Sequence, residues 1–324
     1  MGLGRYIIKR SVHSLLTFFV ILVLIFLLPR MMPGDPLTYY IGGASFTEED
    51  VEKLKNIFGL DKPITTQFWL FLRNTLMGEF GLSYKYYPRA VWDILVDRVP
   101  WTLLLMGCAI ILQTVVGIFL GIFCAWKRGS KWDISIQTVT LLLYSVPAFW
   151  IGMILLFYFS YVLGWFPLFG NVTPGATYTN FFAFAADVAR HAILPIITLT
   201  CVLLASRVLI MRYTMLEVLE EDYIMTARAK GLSERRVMFS HAARNALLPT
   251  VTDVGLTFGI MMGGAVLTET VFSYPGMGRL MFEAVSGRDY PLLQATFFLV
   301  AVCVVIANFV VDLIYTRLDP RIRL

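Results

Sequence analysis

The chain has 324 residues, of which 58% are hydrophobic and 15% charged, and its mean hydropathy is +0.72. Soluble domains carry about 25% charged residues, so the composition excludes an ordinary water-soluble domain and points to a membrane-embedded chain. The net charge of +5 then reads as a topology signal, and nucleic-acid binding is not expected.

Six segments are apolar and long enough to cross a bilayer core of about 30 Å. They lie near residues 11–29, 100–125, 134–163, 192–211, 249–271 and 292–315. Helices are expected, because a span must satisfy its own backbone hydrogen bonds in lipid. The expected fold is an all-α integral membrane protein with six transmembrane helices.

Residues 1–29 hold a short N-terminus and the first span. Arg30-Met31-Met32-Pro33 follows without a small-residue cleavage site, so this span reads as an uncleaved anchor. Residues 30–98 are too many for a bare loop. There, Pro33-Gly34-Asp35-Pro36 predicts a rigid turn. Thr47-Glu48-Glu49-Asp50 predicts a capping box opening a short helix to Phe58, ended by Gly59. The stretch from Gln67 to Leu72 is apolar but too short to cross, and predicts an interfacial helix. Together these predict an extracytoplasmic subdomain between helices 1 and 2. It would either cover helix ends or contact an external partner.

Residues 99–315 form the transmembrane core, with a polar loop at 212–248, and 316–324 form a tail. With the N-terminus in the cytoplasm, the short inside segments hold fifteen Lys or Arg, and the short outside loops hold three: Arg190, Arg279 and Arg288. The positive-inside rule therefore places both termini and the 212–248 loop in the cytoplasm.

That loop is the most structured-looking polar stretch of the chain. Glu220, Glu221 and Asp222 open a helix, and Arg228 and Lys230 close it, so charges oppose the macrodipole at both ends. Gly231 is placed as a left-handed C-terminal cap and Ser233 as the N-cap of a second helix. A helical hairpin facing water predicts a docking surface. Tyr223, Ala227 and Gly231, four residues apart, would present one narrow face to a partner, with Arg228, Lys230, Arg235 and Arg236 pairing with acids at its rim.

In the fifth span Gly255, Gly259 and Gly263 recur every fourth residue, which predicts close helix packing or a smooth gating path. Gly117 and Gly121 form a weaker version. Arg207, Asp253, Glu269 and Asp312 fall near span ends, where snorkelling or cap contacts suffice. Gln113 and Asn308 fall deeper, and could bridge helices or line the translocation path.

Several chemistries are missing from the pattern. There is no phosphate-binding G-x-x-x-x-G-K-[ST] loop, so the chain is not expected to bind ATP. His13, His191 and His241 lie far apart with no H-E-x-x-H, and no G-x-S-x-G elbow is present. Cys108, Cys124, Cys201 and Cys303 stand singly in apolar spans and read as small packing residues. No catalytic, cofactor-binding or metal site is assigned. A membrane enzyme or scaffold therefore has no residues to argue from.

The run Asp222-Tyr223-Ile224-Met225-Thr226-Ala227-Arg228-Ala229-Lys230-Gly231-Leu232-Ser233-Glu234-Arg235-Arg236 resembles the coupling loop of ATP-binding-cassette importer permeases. The generic Glu-Ala pair is replaced by Met225-Thr226, and the generic proline near residue 244 is missing, departures that match the oligopeptide/dipeptide branch. Ordered blocks resemble that branch along nearly the whole chain. They include residues 5–10, 33–36, 58–63, 78–83, Asn245 to Pro249, Glu269 to Gly278, Arg288 to Pro291 and Leu318 to Arg323. The resemblance is to the B-type permease subunit of a peptide/nickel-class importer. It implies a type I importer permease fold, a cell inner-membrane location and a C-type permease as partner. It also implies two cytoplasmic ATP-binding subunits that carry ATP and Mg, and an extracytoplasmic solute-binding protein. Peptides are the expected cargo; the same machine could carry nickel chelates, glutathione or sugars. An ion-coupled secondary transporter is the runner-up, weakened because no span carries a mid-membrane row of acids.

Overall fold

The computed structural model describes residues 3–31, 49, 52, 53, 55, 56 and 59–318. The expected turn at Pro33–Pro36, most of the capping box and helix leading to Phe58, the side chain of Asp312 and the tail from Asp319 lie outside these residues. The regular structure of the described chain is helical, with one antiparallel bridge, Leu82 to Ala90. It divides into two units, one built from Met1–Thr102, Met262–Val266 and Pro275–Leu324 and the other from Leu103–Met261 and Leu267–Tyr274.

In the first unit, α1 (Leu3–Met31) packs along α12 (Tyr290–Leu318), where the Phe18 and Phe298 rings meet at 5.9 Å. Helix α2 (Ile64–Met77) begins after Pro63 and ends at Gly78, whose φ of 77° is left-handed. Its Phe68 and Phe71 lie against Phe26 of α1, at 5.1 and 5.5 Å. The short α11 (Met277–Ser286) is amphipathic. It buries Met277, Leu280 and Ala284 against Val91, Ile94 and Leu95 from the start of α3 (Val91–Trp126) and against Leu292 and Leu293 of α12. Asp289 ties this unit together. Its fully buried carboxylate accepts from Ser83 Oγ, from the Lys85 amide at 3.0 Å and from the Leu292 amide at 3.1 Å, capping α12 while it holds the loop after α2.

In the second unit, α4 (Lys131–Ser145) is capped by Ser130, whose Oγ accepts from the Asp133 amide at 3.3 Å. The continuous span expected at 134–163 is broken. Val146 precedes a proline and is extended, which stops α4, and α5 (Ala148–Leu155) leaves at 97° before a π-helical turn, Leu156–Val162. Helix α6 (Phe181–Leu219) starts at Asn180, whose side chain accepts from the Ala183 amide at 2.8 Å. It extends well beyond the expected span at 192–211.

The hairpin consists of α7 (Asp222–Ala229) and α8 (Glu234–Arg236). A π-helical turn, Val237–Ala242, joins α8 to α9 (Ala243–Ile260). The fifth expected span is broken as well. After Ile260 comes a single 3₁₀ turn, Met261–Gly263, then Gly264 at φ 64° and α10 (Val266–Val271).

Among the described residues, α1 (from Arg10), α3, α6 and α12 (to Val310) are each long and apolar enough to cross a membrane, and the bent pair α4 with α5 would make a fifth span.

Candidate functional site: the polar hairpin and its seat

Helix α7 is short and capped much as its sequence predicts. Asp222 occupies the first turn and Arg228 the last. Gly231 takes a φ of 75°, and its amide donates to the Arg228 carbonyl at 2.9 Å while the Leu232 amide reaches the Ala227 carbonyl at 3.4 Å. Ser233 takes the extended N-cap conformation, but its hydroxyl makes no capping bond.

The face that α7 turns inward corrects the sequence reading. Ile224 and Ala227 are buried, three residues apart, against Val237, Met238, Ala242, Ala243 and Ala246 of the following strand of helix, Met211 and Met215 of α6, and Ile122 and Ala125 of α3. Ala227 is therefore a core residue of this chain. Tyr223 is exposed and accepts a hydrogen bond from Asn245 Nδ2 at 2.7 Å. The outward face of α7 is instead Asp222, Met225, Thr226 and Ala229, with Met225 62% exposed. The sequence signal for that face was an apolar Met225 one helical turn from Ala229. An exposed methionine suits a surface that must adapt to a partner.

The basic rim is also partly committed within the hairpin. Arg228 pairs with Glu234 at 3.1 Å, whereas Lys230, Arg235 and Arg236 are exposed.

Below the hairpin, α3 and α6 approach unusually closely. A Cβ on Gly117 would overlap the Cβ of Arg207, and one on Gly121 would stand 2.6 Å from the Met211 Cβ and 2.9 Å from the Val208 carbonyl. The tight small-residue seam thus lies at the pair read as the weaker one. The stronger-looking stripe does not persist: Gly255 and Gly259 lie on α9, but Gly263 closes the 3₁₀ turn beyond it. The physical reason is the loss of α-helical geometry after Ile260, which ends the four-residue register.

Further polar contacts fix the seat. Arg212 of α6 makes a two-pronged ion pair with the buried Asp133 of α4, at 2.8 and 2.9 Å. Thr214 Oγ donates to the Ala246 carbonyl at 3.0 Å. Arg207, expected to snorkel, is buried; it pairs with Asp253 and donates to Thr257 Oγ at 2.6 Å. The two charges satisfy each other across α6 and α9, a relation that no local sequence pattern carries.

The two residues read as bridging or path-lining differ from each other. Gln113 on α3 is fully buried, and neither amide atom has a hydrogen-bond partner. Asn308 on α12 is exposed on this chain.

Comparison with known proteins identifies the context of this hairpin. Residues 117–324 match the model of the binding-protein-dependent transport system inner membrane component, and residues 3–106 match its N-terminal companion. The chain is 40% identical to the di/tripeptide transport system permease protein DppB of Pseudomonas aeruginosa (strain UCBPP-PA14), with 98% of each chain covered. It is 39% identical to the dipeptide transport system permease protein DppB of Escherichia coli (strain K12), again with 98% of each covered. It is 38% identical to the glutathione transport system permease protein GsiC of Escherichia coli O1:K1 / APEC, covering 98% of this chain and 99% of that one. The hairpin falls within the matched region, and the chain belongs to the family of binding-protein-dependent transport system inner membrane components.

Proposed function

We propose that this chain is the B-type permease subunit of an ATP-driven importer that carries di- or oligopeptides from an extracytoplasmic binding protein to the cytoplasm. The observation that carries the reading is end-to-end similarity to a di/tripeptide permease, at 40% identity. The chain binds no ATP in this reading. Two cytoplasmic ATPases, holding ATP and Mg, dock under this subunit and a C-type permease, and six spans place both termini and the hairpin on the cytoplasmic side. Residues 30–98 form the extracytoplasmic subdomain. Substrate passes along the permease interface, with Gln113 and Asn308 as candidates for its walls.

The physical basis for coupling is the way the hairpin is seated. An ATPase groove receives the outward face of α7, and Lys230, Arg235 and Arg236 guide its register through charge. Because Ile224 and Ala227 share a core with Met211, Met215 and Ile122, displacement of α7 moves α6 and α3 with it. A packed core transmits such a push because it has little compressibility.

The experiment is uptake of a labelled dipeptide by proteoliposomes holding the assembled complex, with binding protein outside and ATP inside. ATP-dependent accumulation that also requires the binding protein is expected. Uptake by this chain alone, driven by an ion gradient, would replace the proposal with a secondary transporter. Similarity to a glutathione permease at 38% identity supports glutathione, itself a tripeptide, as the second cargo to assay.

A further inference from the structure

A cavity of about 450 Å³ opens in the first unit beside the last turn of α1. Arg30, Lys62, Asn56 and Gln67 supply its polar side, and Leu70 and Phe71 its apolar side. The volume falls within the range of pockets that hold small ligands.

Arg30 is the centre of this site. Its Nε and Nη2 donate to Gln67 Oε1, at 3.2 and 2.9 Å, and its Nη1 donates to the Phe26 carbonyl at 2.9 Å. The guanidinium lies over the Phe26 ring at 3.7 Å. Guanidinium carries five N–H donors, so further donors remain after these three bonds. Among the described residues no carboxylate lies within ion-pair distance of Arg30 or Lys62. Glu79, the one carboxylate among the described residues that line this cavity, pairs with neither.

The position sets what can enter. The apolar stretch of α1 runs 22 residues from Arg10 to Met31, or about 33 Å at 1.5 Å per residue, which matches a bilayer core of about 30 Å. Arg30 therefore stands at the level of the lipid headgroups. Trp69 of α2, 67% exposed beside this end of α1, is the residue type that settles at that level.

We propose that this cavity binds the phosphate of an anionic phospholipid, with Arg30 and Lys62 on the phosphate and the lipid's first methylenes against Leu70 and Phe71. The ligand chemistry is an oxyanion attached to an apolar tail. The inference depends on α1 crossing the membrane and is independent of the cargo.

The test uses the purified complex in detergent, and follows thermal unfolding as dihexanoyl phosphatidylglycerol is added. Dihexanoyl phosphatidylcholine, inorganic phosphate and a dipeptide are run in parallel. Phosphatidylglycerol is expected to stabilise at concentrations about tenfold below phosphatidylcholine: both carry the phosphate, but Arg30 and Lys62 repel the trimethylammonium of choline, and like charges held close together near a protein surface differ by this order. Arg30→Gln should abolish the difference. If that variant does not assemble, Lys62→Gln, at an exposed position, should still reduce it. Arg89→Gln, which removes an exposed partner of Asp97 outside the cavity, should leave it intact. Equal stabilisation by the two lipids would overturn the preference for an anionic lipid, and stabilisation by both that Arg30→Gln and Lys62→Gln leave unchanged would overturn the site. Inorganic phosphate matching phosphatidylglycerol would overturn the lipid as its source. Displacement of the lipid by the dipeptide would make it a site for peptide carboxylates instead.

Discussion

Gly231 carries a conformational requirement and no steric one: φ is 75°, and a Cβ there would meet nothing within 4 Å. A β-branched residue in the left-handed region costs roughly 1–2 kcal/mol, so Gly231→Val should loosen the turn, whereas Gly231→Asn should be milder. In proteoliposomes, Gly231→Val is expected to lower peptide uptake per ATP hydrolysed while the subunit still assembles; unchanged coupling would remove the turn from the mechanism. Met225 and Ala227 separate docking from folding. Met225→Asp should leave the melting temperature of the complex near its original value and lower coupled uptake. Ala227→Leu overfills a packed site and should cost about 1–3 kcal/mol of stability, read in the same melting experiment. The sequence made Gly231 legible, because few residues but glycine tolerate its backbone. It put Ala227 on the outward side of α7, because Ala227 and Ala229 are equally small and only tertiary packing decides which one is buried.

A second residue-level contact responds to pH. Tyr86 donates to Glu283 at 2.5 Å. Burial, reinforced by that bond to the carboxylate, raises the tyrosine to about 12. Burial by itself would raise Glu283. The Tyr86 bond and the charges of Lys85, Arg98 and Arg279 outweigh it, so the carboxyl titrates below its ordinary value. A depressed carboxyl contributes stability above its unfolded pKa and loses it as pH falls through the folded one. Tyr86→Phe should therefore shift the acid-induced exposure of the 83–90 loop to higher pH. Limited proteolysis across an acid series checks this, and an unshifted midpoint would show that the bond contributes little.

At the scale of elements, the seam between α3 and α6 and the clamp between α6 and α4 hold the hairpin's seat. Gly121 stands against Met211, which is itself part of the core under α7. Gly121→Leu should force the helices apart and lower both thermal stability and coupling. Arg212→Met leaves the Asp133 carboxylate buried without its partner, and breaking such a pair costs about 3–5 kcal/mol. The double variant Asp133→Leu with Arg212→Met should recover part of that loss. A melting temperature no higher than that of the single variant would show the charge pair to be incidental. Apolar run lengths located four helices long enough to cross a membrane and the bent pair that would make a fifth, since hydropathy reports which residues avoid water. The same measure is blind to direction: it passes smoothly over Val146-Pro147 and over Gly263-Gly264, where the helices break.

For the molecule as a whole, membrane class and family were legible because both rest on composition and on ordered local blocks. Other relations depend on residues distant in sequence. Asp289 joining the loop after α2 to the start of α12, and Arg207 joining α6 to α9, are of this kind. The proposed topology predicts opposite sidedness for Lys230, which is exposed, and Arg288, which is half-buried. In intact cells a membrane-impermeant thiol reagent should label Arg288→Cys from outside, and Lys230→Cys only after the membrane is opened. Labelling of both from one side would sink the six-span arrangement with an inward hairpin.

The pairing of Arg207 with Asp253 also constrains how the chain is made. A lone charge in an inserting helix opposes its entry into lipid, and these two charges are made on separate helices, α6 first and α9 only after the short α7 and α8. Until α9 emerges, α6 carries an uncompensated guanidinium at the translocation channel. The two helices are thus expected to enter lipid as a pair, with α6 retained beside the channel until Asp253 arrives. Truncated nascent chains ending before residue 253 should crosslink to the channel for longer than chains that include α9, and Arg207→Leu should abolish that delay.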